Sequence, residues 1–227
     1  MSVALVTGGS AGLGRALVAG LVQQGWTVIT DGRDADRLAA AKGPGVIAVP
    51  GDITDAEHRA RLLAEAERAG RLDLLVHNAS TLGPTPLPRL ERITAEDIQR
   101  TMRTNVGAPL ILTGELLPLL VASGAVLVGI TSDAAAEHYD GWGMYGASKA
   151  ALEHVVLQYA AENPALSGYA IDPGDLRTAM HQAAFPGEDI SDRPLPETVV
   201  PRLLALLAAR PSSGRYRAAD LPEPVTT

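Results

Sequence analysis

Residues 3–14 read VALVTGGSAGLG, and this stretch decides the fold class. Its first four residues are apolar, which predicts a short buried strand. Leu13, Leu17 and Leu21 then recur at helical spacing, and Gly25 follows as the expected helix stop. The glycines between strand and helix permit a tight turn and bring a pyrophosphate close to the helix N-terminus. Their spacing, Gly-x-x-x-Gly-x-Gly, differs from the commonest dinucleotide fingerprint, and a Gly-Lys-Ser/Thr phosphate loop does not follow.

Apolar segments of strand and helix type alternate along the rest of the chain. Such alternation predicts a parallel sheet that is covered by helices on both faces. We therefore expect an α/β fold, a Rossmann-like doubly wound parallel sheet of about seven strands, in a single domain over 1–227. Thr54 is the expected N-cap of the third helix, and Thr94 opens a long helix. After the first strand and helix, strands are predicted at 27–30, 46–49, 72–76, 124–130, 169–171 and 214–218, and helices at 33–41, 55–69, from 94, 145–162 and 197–209.

Composition narrows the class of protein. The chain has 227 residues, a formal net charge of −7 and no cysteine. The acidic balance argues against a nucleic-acid partner, and the lack of cysteine excludes disulfides, zinc–thiolate sites and thiol catalysis. No uninterrupted apolar run reaches the 18 or so residues of a membrane span. We expect a soluble cytoplasmic protein with no metal site.

Two residues four apart, Tyr145 and Lys149, indicate acid–base chemistry. On a helix they share a face, and a lysine ammonium favours the phenolate of a tyrosine whose reference pKa is about 10. Ser132 lies thirteen residues upstream of the tyrosine. Its hydroxyl could hold a carbonyl or alcohol oxygen at the same place.

The glycine turn, Ser132, Tyr145 and Lys149 together resemble the short-chain dehydrogenase/reductase family in its compact single-domain form. The resemblance extends from Thr7 to about residue 218 and implies a nicotinamide cofactor and hydride transfer at a carbonyl or alcohol. It implies four catalytic residues: Tyr145 as general acid or base, Lys149 as the group that lowers the tyrosine pKa, Ser132 on the substrate oxygen, and Asn105 holding a relay water. The cofactor-binding residues that it implies are Gly8, Ser10, Gly12, Leu13, Gly14, Arg33, Asp52, Ile53, Asn78, Ala79, Tyr145, Lys149, Pro173, Gly174 and Thr178.

Three positions leave an alternative open or depart from the family. Asp52 either meets the adenine with Ile53 or only caps a loop. The family's Asn-Asn-Ala-Gly segment reads His77-Asn78-Ala79-Ser80 here. We interpret His77 as a hydrogen-bonded core residue, and we expect Ser80 to add a side chain beside the nicotinamide ribose.

Cofactor choice depends on the end of the second strand. In the family that this chain resembles, an acidic side chain at one position selects NAD. Counted from Gly25, that position is Gly32 here, and Arg33 takes the place that binds a 2′-phosphate. Asp31 comes one residue early, so its side chain should point to the other side of the strand. The sequence therefore favours NADP(H) over NAD(H), although a shift of one residue would reverse this prediction.

The leading hypothesis is an NADP(H)-dependent oxidoreductase for a small carbonyl/alcohol pair. Residues 179–195 are expected to form a lid over the substrate. Two alternatives stay open for His138, Tyr139 and Trp142: they flank the pocket, or they only pack a loop. The helix at 145–162 is expected to mediate a homodimer or homotetramer. The alternative is a catalytically weak or inactive protein of the same fold that binds the cofactor as a sensor or scaffold. A serine hydrolase is disfavoured because no Gly-x-Ser-x-Gly turn is present.

Overall fold

A single parallel sheet organises the protein. The computed structural model describes residues 1–222 and contains seven strands in the order β3-β2-β1-β4-β5-β6-β7, all paired in parallel. The expected doubly wound α/β fold is thereby confirmed, and the last five residues of the predicted domain, 223–227, lie outside the described part. The strands are β1 Val3–Val6, β2 Thr27–Gly32, β3 Val46–Pro50, β4 Leu74–His77, β5 Val126–Ile130, β6 Ser167–Asp172 and β7 Gly214–Arg217.

Helices cover both faces of the sheet and create two hydrophobic cores. On one face α1 and α8 pack together over the strands, with Leu17 and Leu203 among the buried residues. On the other face α3, α5 and α6 bury Leu62, Leu112 and Val156. The helices are α1 Gly12–Gln23, α2 Ala35–Ala39, α3 Ala56–Ala69, α4 Ala95–Met102, α5 Ala108–Ser123, α6 Gly143–Glu162, α7 Ala179–Ala184 and α8 Pro196–Ala209.

Several element ends differ from the sequence prediction. Asp55, not Thr54, is the N-cap of α3, because the Asp52 carboxylate already accepts hydrogen bonds from the backbone and hydroxyl of Thr54. The α2 helix begins only at Ala35, after the Asp34 cap. The sixth strand is longer than expected, since all six residues of β6 lie between β5 and β7.

The helical run Ala95–Ser123 contains an 18-residue window with a mean hydropathy of 1.7, so it is long and apolar enough to cross a membrane by length and composition alone. In this fold it serves as a core helix. The Thr94–Asp97 capping box opens it with a charged first turn, and Leu112, Leu116 and Leu120 are buried against the sheet. The α5 part of this run therefore packs one of its faces against the protein's own strands, and α4 contacts α6.

The strand order places a crevice at one edge of the sheet. β1 lies between β2 and β4, so the connections that leave β1 and β4 diverge to opposite sides. In doubly wound sheets such a reversal opens a crevice at the carboxyl ends of the strands, where ligands bind. The glycine turn after β1 and the His77–Ser80 segment after β4 both reach this edge.

Candidate active site

An open cavity of about 1080 Å³ lies at the carboxyl ends of the strands. Two of the predicted site residues, Gly14 and Asn105, do not line it. The others do, and the structure brings them together: Gly8, Ser10, Gly12, Leu13, Arg33, Asp52, Ile53, Asn78, Ala79, Ser132, Tyr145, Lys149, Pro173, Gly174 and Thr178.

Gly14 lies directly against Gly8 and Asn78, where there is no room for a side chain. A Cβ there would lie 2.3 Å from the Gly8 carbonyl oxygen and 2.4 Å from Asn78 Nδ2. Asn78 uses that amide group to donate to the carbonyls of Thr7 and Gly8 at 2.9 and 3.2 Å. The Thr7 hydroxyl in turn accepts hydrogen bonds from the backbone N–H groups of Asn78 and Ala79. The turn after β1 and the segment after β4 are therefore locked to each other.

Asp31 anchors the turn from the opposite side of the strand. Its side chain is buried, and its carboxylate accepts from the Gly8 N–H at 2.6 Å and lies 2.9 Å from His58 Nε2. Arg61 can only donate, so its contact with His58 Nδ1 at 3.2 Å assigns the proton to Nε2, which donates to Asp31. Asp31 and Gly32 both line the cavity, but the Asp31 carboxylate faces the Gly8 N–H and His58, whereas Gly32 faces Ser10.

Two exposed arginine side chains lie at the end of the cavity beyond β2. Arg33 and Arg37 both line it, and Arg37 also pairs with Asp34 at 3.1 Å. Burial favours a higher pKa for Asp52, but hydrogen bonds from Thr54 and the nearby charge of Arg33 hold it below its usual value. Asp52 therefore both organises its own loop and remains a charged group on the cavity wall.

The tyrosine and lysine lie at the centre of the cavity, on α6. Lys149 Nζ donates to the Ile130 carbonyl at 2.8 Å and sits 5.5 Å from the centre of the Tyr145 ring. Burial lowers the pKa of Lys149 to about 7. Burial also raises the pKa of Tyr145 above its ordinary value, and the charges of Asp133 and Asp172 raise it further. The phenol is therefore protonated at neutral pH.

Ser132 lies two residues after the end of β5 and also lines the cavity. Its hydroxyl donates to the Asp133 carboxylate at 2.9 Å and accepts from the Ala134 N–H at 3.2 Å. The Tyr139 hydroxyl donates to the other oxygen of Asp133, also at 2.9 Å. Arg215, from β7, donates to the Ser132 carbonyl at 3.1 Å and to Glu153 at 3.0 Å. The serine is held in place through both its backbone and its hydroxyl.

Asn105 lies in a π-helical turn, Arg103–Gly107, between α4 and α5. Such turns are rare and occur frequently at functional sites. Its side-chain oxygen accepts from the Thr81 N–H at 2.8 Å and the Ser80 hydroxyl at 3.2 Å. Its amide group donates to the Thr81 carbonyl and to the Ser148 hydroxyl. Because these four bonds use the whole side chain, the Asn105 amide group has no donor or acceptor left for a relay water.

The two departures from the family segment have different surroundings. His77 is fully enclosed, contacts the Thr113 hydroxyl at 2.7 Å through Nε2, and has its pKa lowered by burial to about 3. This confirms the interpretation of His77 as a hydrogen-bonded core residue. Ser80 instead lines the cavity and bonds to Asn105.

Aromatic side chains close the far end of the cavity. Trp142 packs edge-on against Tyr145 with ring centres 5.7 Å apart, and Phe185 lies 5.9 Å from Trp142. Met180, His181 and Phe185 come from the segment expected to form the lid. Of the three residues expected to flank the pocket, Tyr139 and Trp142 line it and His138 does not.

Sequence reasoning did not find several groups of this site. Arg37 lies one helical turn after Arg33, a spacing that could have indicated a second cation beside the cavity. The anchoring of Gly8 by Asp31 and the contact of Asp133 with Ser132 depend on which atoms come within hydrogen-bond distance in the folded chain, and the sequence alone does not give these distances. Leu82 and Thr81 come from the proline-rich loop after β4 and were assigned no role.

Comparison with known proteins places the chain in a family. The profile described as "short chain dehydrogenase" matches residues 2–189. A serine 3-dehydrogenase of Agrobacterium fabrum is 34% identical over 186 residues, which are 80% of this chain and 72% of that protein. An uncharacterized oxidoreductase of Escherichia coli is 33% identical over 219 residues, which are 90% and 85% of the two chains.

Solved structures agree with this assignment. A short chain dehydrogenase of Shigella flexneri complexed with NADP superposes with a TM-score of 0.86 at 31% identity, covering 96% of this chain and 97% of that one. A homologue from Escherichia coli complexed with NADPH has a TM-score of 0.85 at 31% identity and covers 96% of each chain. The chain therefore belongs to the short-chain dehydrogenase/reductase family and is an NAD(P)-dependent oxidoreductase that acts on CH–OH and C=O groups.

Proposed function

We propose that the protein is an NADP(H)-dependent reductase or dehydrogenase that interconverts a small carbonyl compound and its alcohol, with Tyr145 as general acid and base. The observation that carries the proposal is that Tyr145, Lys149 and Ser132 line one cavity together with the glycine turn. Tyr145 and Ser132 can thus reach one bound substrate oxygen.

The choice of NADP(H) rests on the surroundings of β2. Asp31 is buried, and its two oxygens are engaged by the Gly8 N–H and by His58, which disfavours a further bond to a ribose hydroxyl. Arg33 and Arg37 face the same end of the cavity, where guanidinium groups suit a 2′-phosphate. The Shigella flexneri and Escherichia coli homologues bound to NADP and NADPH support this choice.

The residues present fit a nicotinamide dinucleotide. Gly12 has a φ of +52°, and a Cβ there would approach Thr178 Cγ2 to 3.4 Å and narrow the cavity. The turn would hold the pyrophosphate at the α1 N-terminus, Asp52 and Ile53 would meet the adenine, and Asn78, Ala79, Lys149, Pro173, Gly174 and Thr178 would hold the nicotinamide half. The bound cofactor supplies or accepts the hydride.

Tyr145 transfers the proton, and Ser132 holds the substrate oxygen. In the reduction the Tyr145 O–H bond breaks, and its proton passes to the oxygen of the carbonyl as that oxygen becomes an alcohol. Ser132 holds the same oxygen by rotating its hydroxyl away from Asp133. In the oxidation the phenolate takes the proton back from the alcohol.

The environment of Tyr145 favours the acid form. Burial and the carboxylates of Asp133 and Asp172 raise its pKa, so the phenol carries the proton that the reduction requires. Oxidation needs a phenolate, which Lys149 stabilises in its ammonium form. A relay water on the backbone carbonyl of Asn105 would connect Lys149 to solvent.

The substrate end combines aromatic rings with an acid. Trp142 and Phe185 offer a flat apolar wall beside Tyr145, and Asp133 adds a negative charge. The segment 179–195 acts as the lid: the Arg177 N–H donates to the Pro194 carbonyl and closes its base, while Gln182 holds the backbone at Phe185 and Glu188.

We also propose that the protein self-associates and is cytoplasmic. Leu110 and Ile111 of α5 are 45% and 48% exposed, and the Tyr159 hydroxyl ties α6 to the Leu110 carbonyl beside them. The contact was expected on α6, but Leu152 and Val156 of that helix are buried in the core, so the exposed surface of α5 beside Tyr159 is the proposed contact of a homodimer or homotetramer. Light scattering that shows a monomer at every concentration would contradict it.

Tyr145→Phe provides the central test. A panel of ketones and secondary alcohols is screened with NADPH or NADP⁺, and the variant is compared with wild type on each converted compound. We expect turnover to fall at least 100-fold, within the range of general acid–base contributions, with NADPH affinity unchanged by nicotinamide fluorescence. Full turnover in the variant would refute the mechanism. Saturable NADPH binding by wild type without conversion of any compound would favour the sensor or scaffold.

A further inference from the structure

Arg215 of β7 contacts three parts of the fold that carry site residues. Its Nη2 donates to the Ser132 carbonyl at 3.1 Å and, at the longer distance of 3.4 Å, to Asp172 Oδ2. Its Nε donates to Glu153 of α6 at 3.0 Å. The family profile ends at residue 189, so the match assigns no role to this arginine. One guanidinium thereby joins the segment after β5, the last residue of β6 and α6.

The strand register gives the Arg215 side chain this reach. Arg215 lies opposite Ala170 of β6, which in turn lies opposite Gly129 of β5. Gly129 faces Val156 of α6, so these three positions lie on the face of the sheet that α6 covers. Ala170 has only a methyl group and Gly129 has no side chain. The arginine can therefore extend across β6, over strands about 4.8 Å apart, toward the end of β5.

Glu153 links Arg215 to the helix that carries the lysine of the site. Its Oε1 accepts from Arg215 and also, at 2.6 Å, from the Thr131 hydroxyl. Glu153 comes four residues after Lys149 on α6, so the two side chains lie on the same face of that helix. This carboxylate therefore fastens the residue before Ser132 to α6.

Asp172 links Arg215 to residues 172–174, which we call the nicotinamide turn because Pro173 and Gly174 are proposed to hold that half of the cofactor. Asp172 Oδ1 accepts from the Gly174 N–H at 3.0 Å, while Oδ2 faces the arginine. The Asp172 side chain is only 5% exposed, and a buried carboxylate needs a charged or hydrogen-bonding partner. Arg215 thus joins the nicotinamide turn directly to the backbone of Ser132.

We propose that Arg215 is a positioning residue, which holds Ser132 and the nicotinamide turn at the separation that hydride transfer requires. The inference rests on the proposed functions of that serine and that turn. Reacting atoms must lie about 3–3.5 Å apart, and a misplacement of about 1 Å can reduce the rate about 100-fold. Arg215 does not line the cavity, so it acts through the groups that it holds.

The kinetic test replaces Arg215 with methionine, which keeps an unbranched side chain and removes the guanidinium. For a carbonyl compound that wild type reduces, we expect kcat to fall about 10- to 100-fold. The substrate KM should stay within about threefold, because the interaction is used in the transition state and not in ground-state binding. Arg217→Met is the matched control: Arg217 is an exposed arginine of the same strand, and its variant should retain the wild-type kcat.

The second readout is cofactor binding, which needs no substrate. 2′-Phospho-ADP-ribose carries the adenine half and both bridging phosphates of NADPH but no nicotinamide. By calorimetry, Arg215→Met should bind NADPH about fivefold more weakly than wild type, as expected for one lost hydrogen bond. Its Kd for 2′-phospho-ADP-ribose should be unchanged. This difference separates a displaced nicotinamide turn from a general loosening of the fold.

Both results are required. A wild-type kcat in Arg215→Met, an unchanged NADPH Kd, or equal weakening of NADPH and 2′-phospho-ADP-ribose overturns the inference. If circular dichroism shows that Arg215→Met does not fold, Arg215→Lys is judged by the same two criteria. Lysine keeps the positive charge beside the carboxylates but lacks the planar fork of donors.

These readouts also separate the inference from the proposed function. If Tyr145→Phe keeps full turnover, the role of Tyr145 fails whatever Arg215 does. If Tyr145→Phe is inactive and Arg215→Met has the wild-type kcat, only the role of Arg215 is refuted. If wild type converts no compound of the panel, the binding comparison alone decides the role of Arg215.

Discussion

Replacing Arg33 with alanine is expected to weaken NADPH binding selectively. Arg33 is exposed at the cavity end beyond β2, where its charge also lowers the pKa of Asp52. The acids on this part of the cavity wall already have partners: Asp31 contacts Gly8 and His58, Asp34 caps α2 and pairs with Arg37, and Asp52 accepts from Thr54. The variant therefore removes attraction for a 2′-phosphate without exposing a group that would bind NADH better.

The size of the effect follows from the exposure of the side chain. Hydrogen bonds to charged groups contribute about 1.5–3 kcal/mol, and screening by solvent places Arg33 at the lower end of that range. A loss of about 1.5 kcal/mol raises the NADPH Kd about tenfold. Arg37 lines the same cavity but shares its charge with Asp34, so Arg37→Ala should have a smaller effect.

The assay is titration with NADPH and NADH, followed by nicotinamide fluorescence at low and high salt. Arg68→Ala serves as the matched control, because Arg68 is an arginine of α3 paired with Glu65 and does not line the cavity. Higher salt should reduce the difference between wild type and Arg33→Ala. An equal loss for both cofactors, or an unchanged NADPH Kd, would refute the assignment of Arg33.

Three stability predictions follow from other parts of the fold. His77 has its pKa lowered to about 3, below the value of about 6.5 of an unfolded histidine, so the unfolded chain binds the proton first as pH falls. Wild type should then lose up to about 5 kcal/mol more than His77→Asn between pH 6.5 and 3, and parallel denaturation curves against pH would contradict this. Gly14→Ala places a Cβ 2.3 Å from the Gly8 carbonyl oxygen. We expect this variant to have a free energy of unfolding lower by about 1–3 kcal/mol and to lose NADPH binding. Gly43→Ala is the control, because no atom lies within 4 Å of the Cβ that it adds. Thr94→Ala removes the hydroxyl that accepts from the Asp97 N–H and should reduce the free energy of unfolding by about 1 kcal/mol, and an unchanged urea midpoint would show that the cap is dispensable.

Local patterns were sufficient for the fold and for much of the site. Residues 3–14 predicted a strand, a turn and a helix because apolar spacing and glycine act over a few residues, and all three are present. The alternation of such units restricts the chain to a parallel sheet. The i, i+4 spacing placed Tyr145 and Lys149 on one helix face, and strand alternation placed Asp31 opposite Gly32.

Element ends were less predictable because neighbouring caps compete. Thr54 was expected to cap α3, but its hydroxyl and N–H turn back to Asp52, and Asp55 caps the helix instead. The length of β6 depends on the two strands that flank it, which are distant in sequence.

By itself the sequence determined the class of fold, the glycine turn and the placement of Tyr145 and Lys149 on one helix, because each depends on contacts within one or two turns of chain. Only the tertiary structure decided that Asp31 anchors Gly8 and that the Asn105 side chain is fully used by Ser80, Thr81 and Ser148. Those contacts join residues 23 to 43 positions apart along the chain. Hydrogen bonds depend on distance and direction in space, and these are set only when the strands, helices and π-helical turn have packed together.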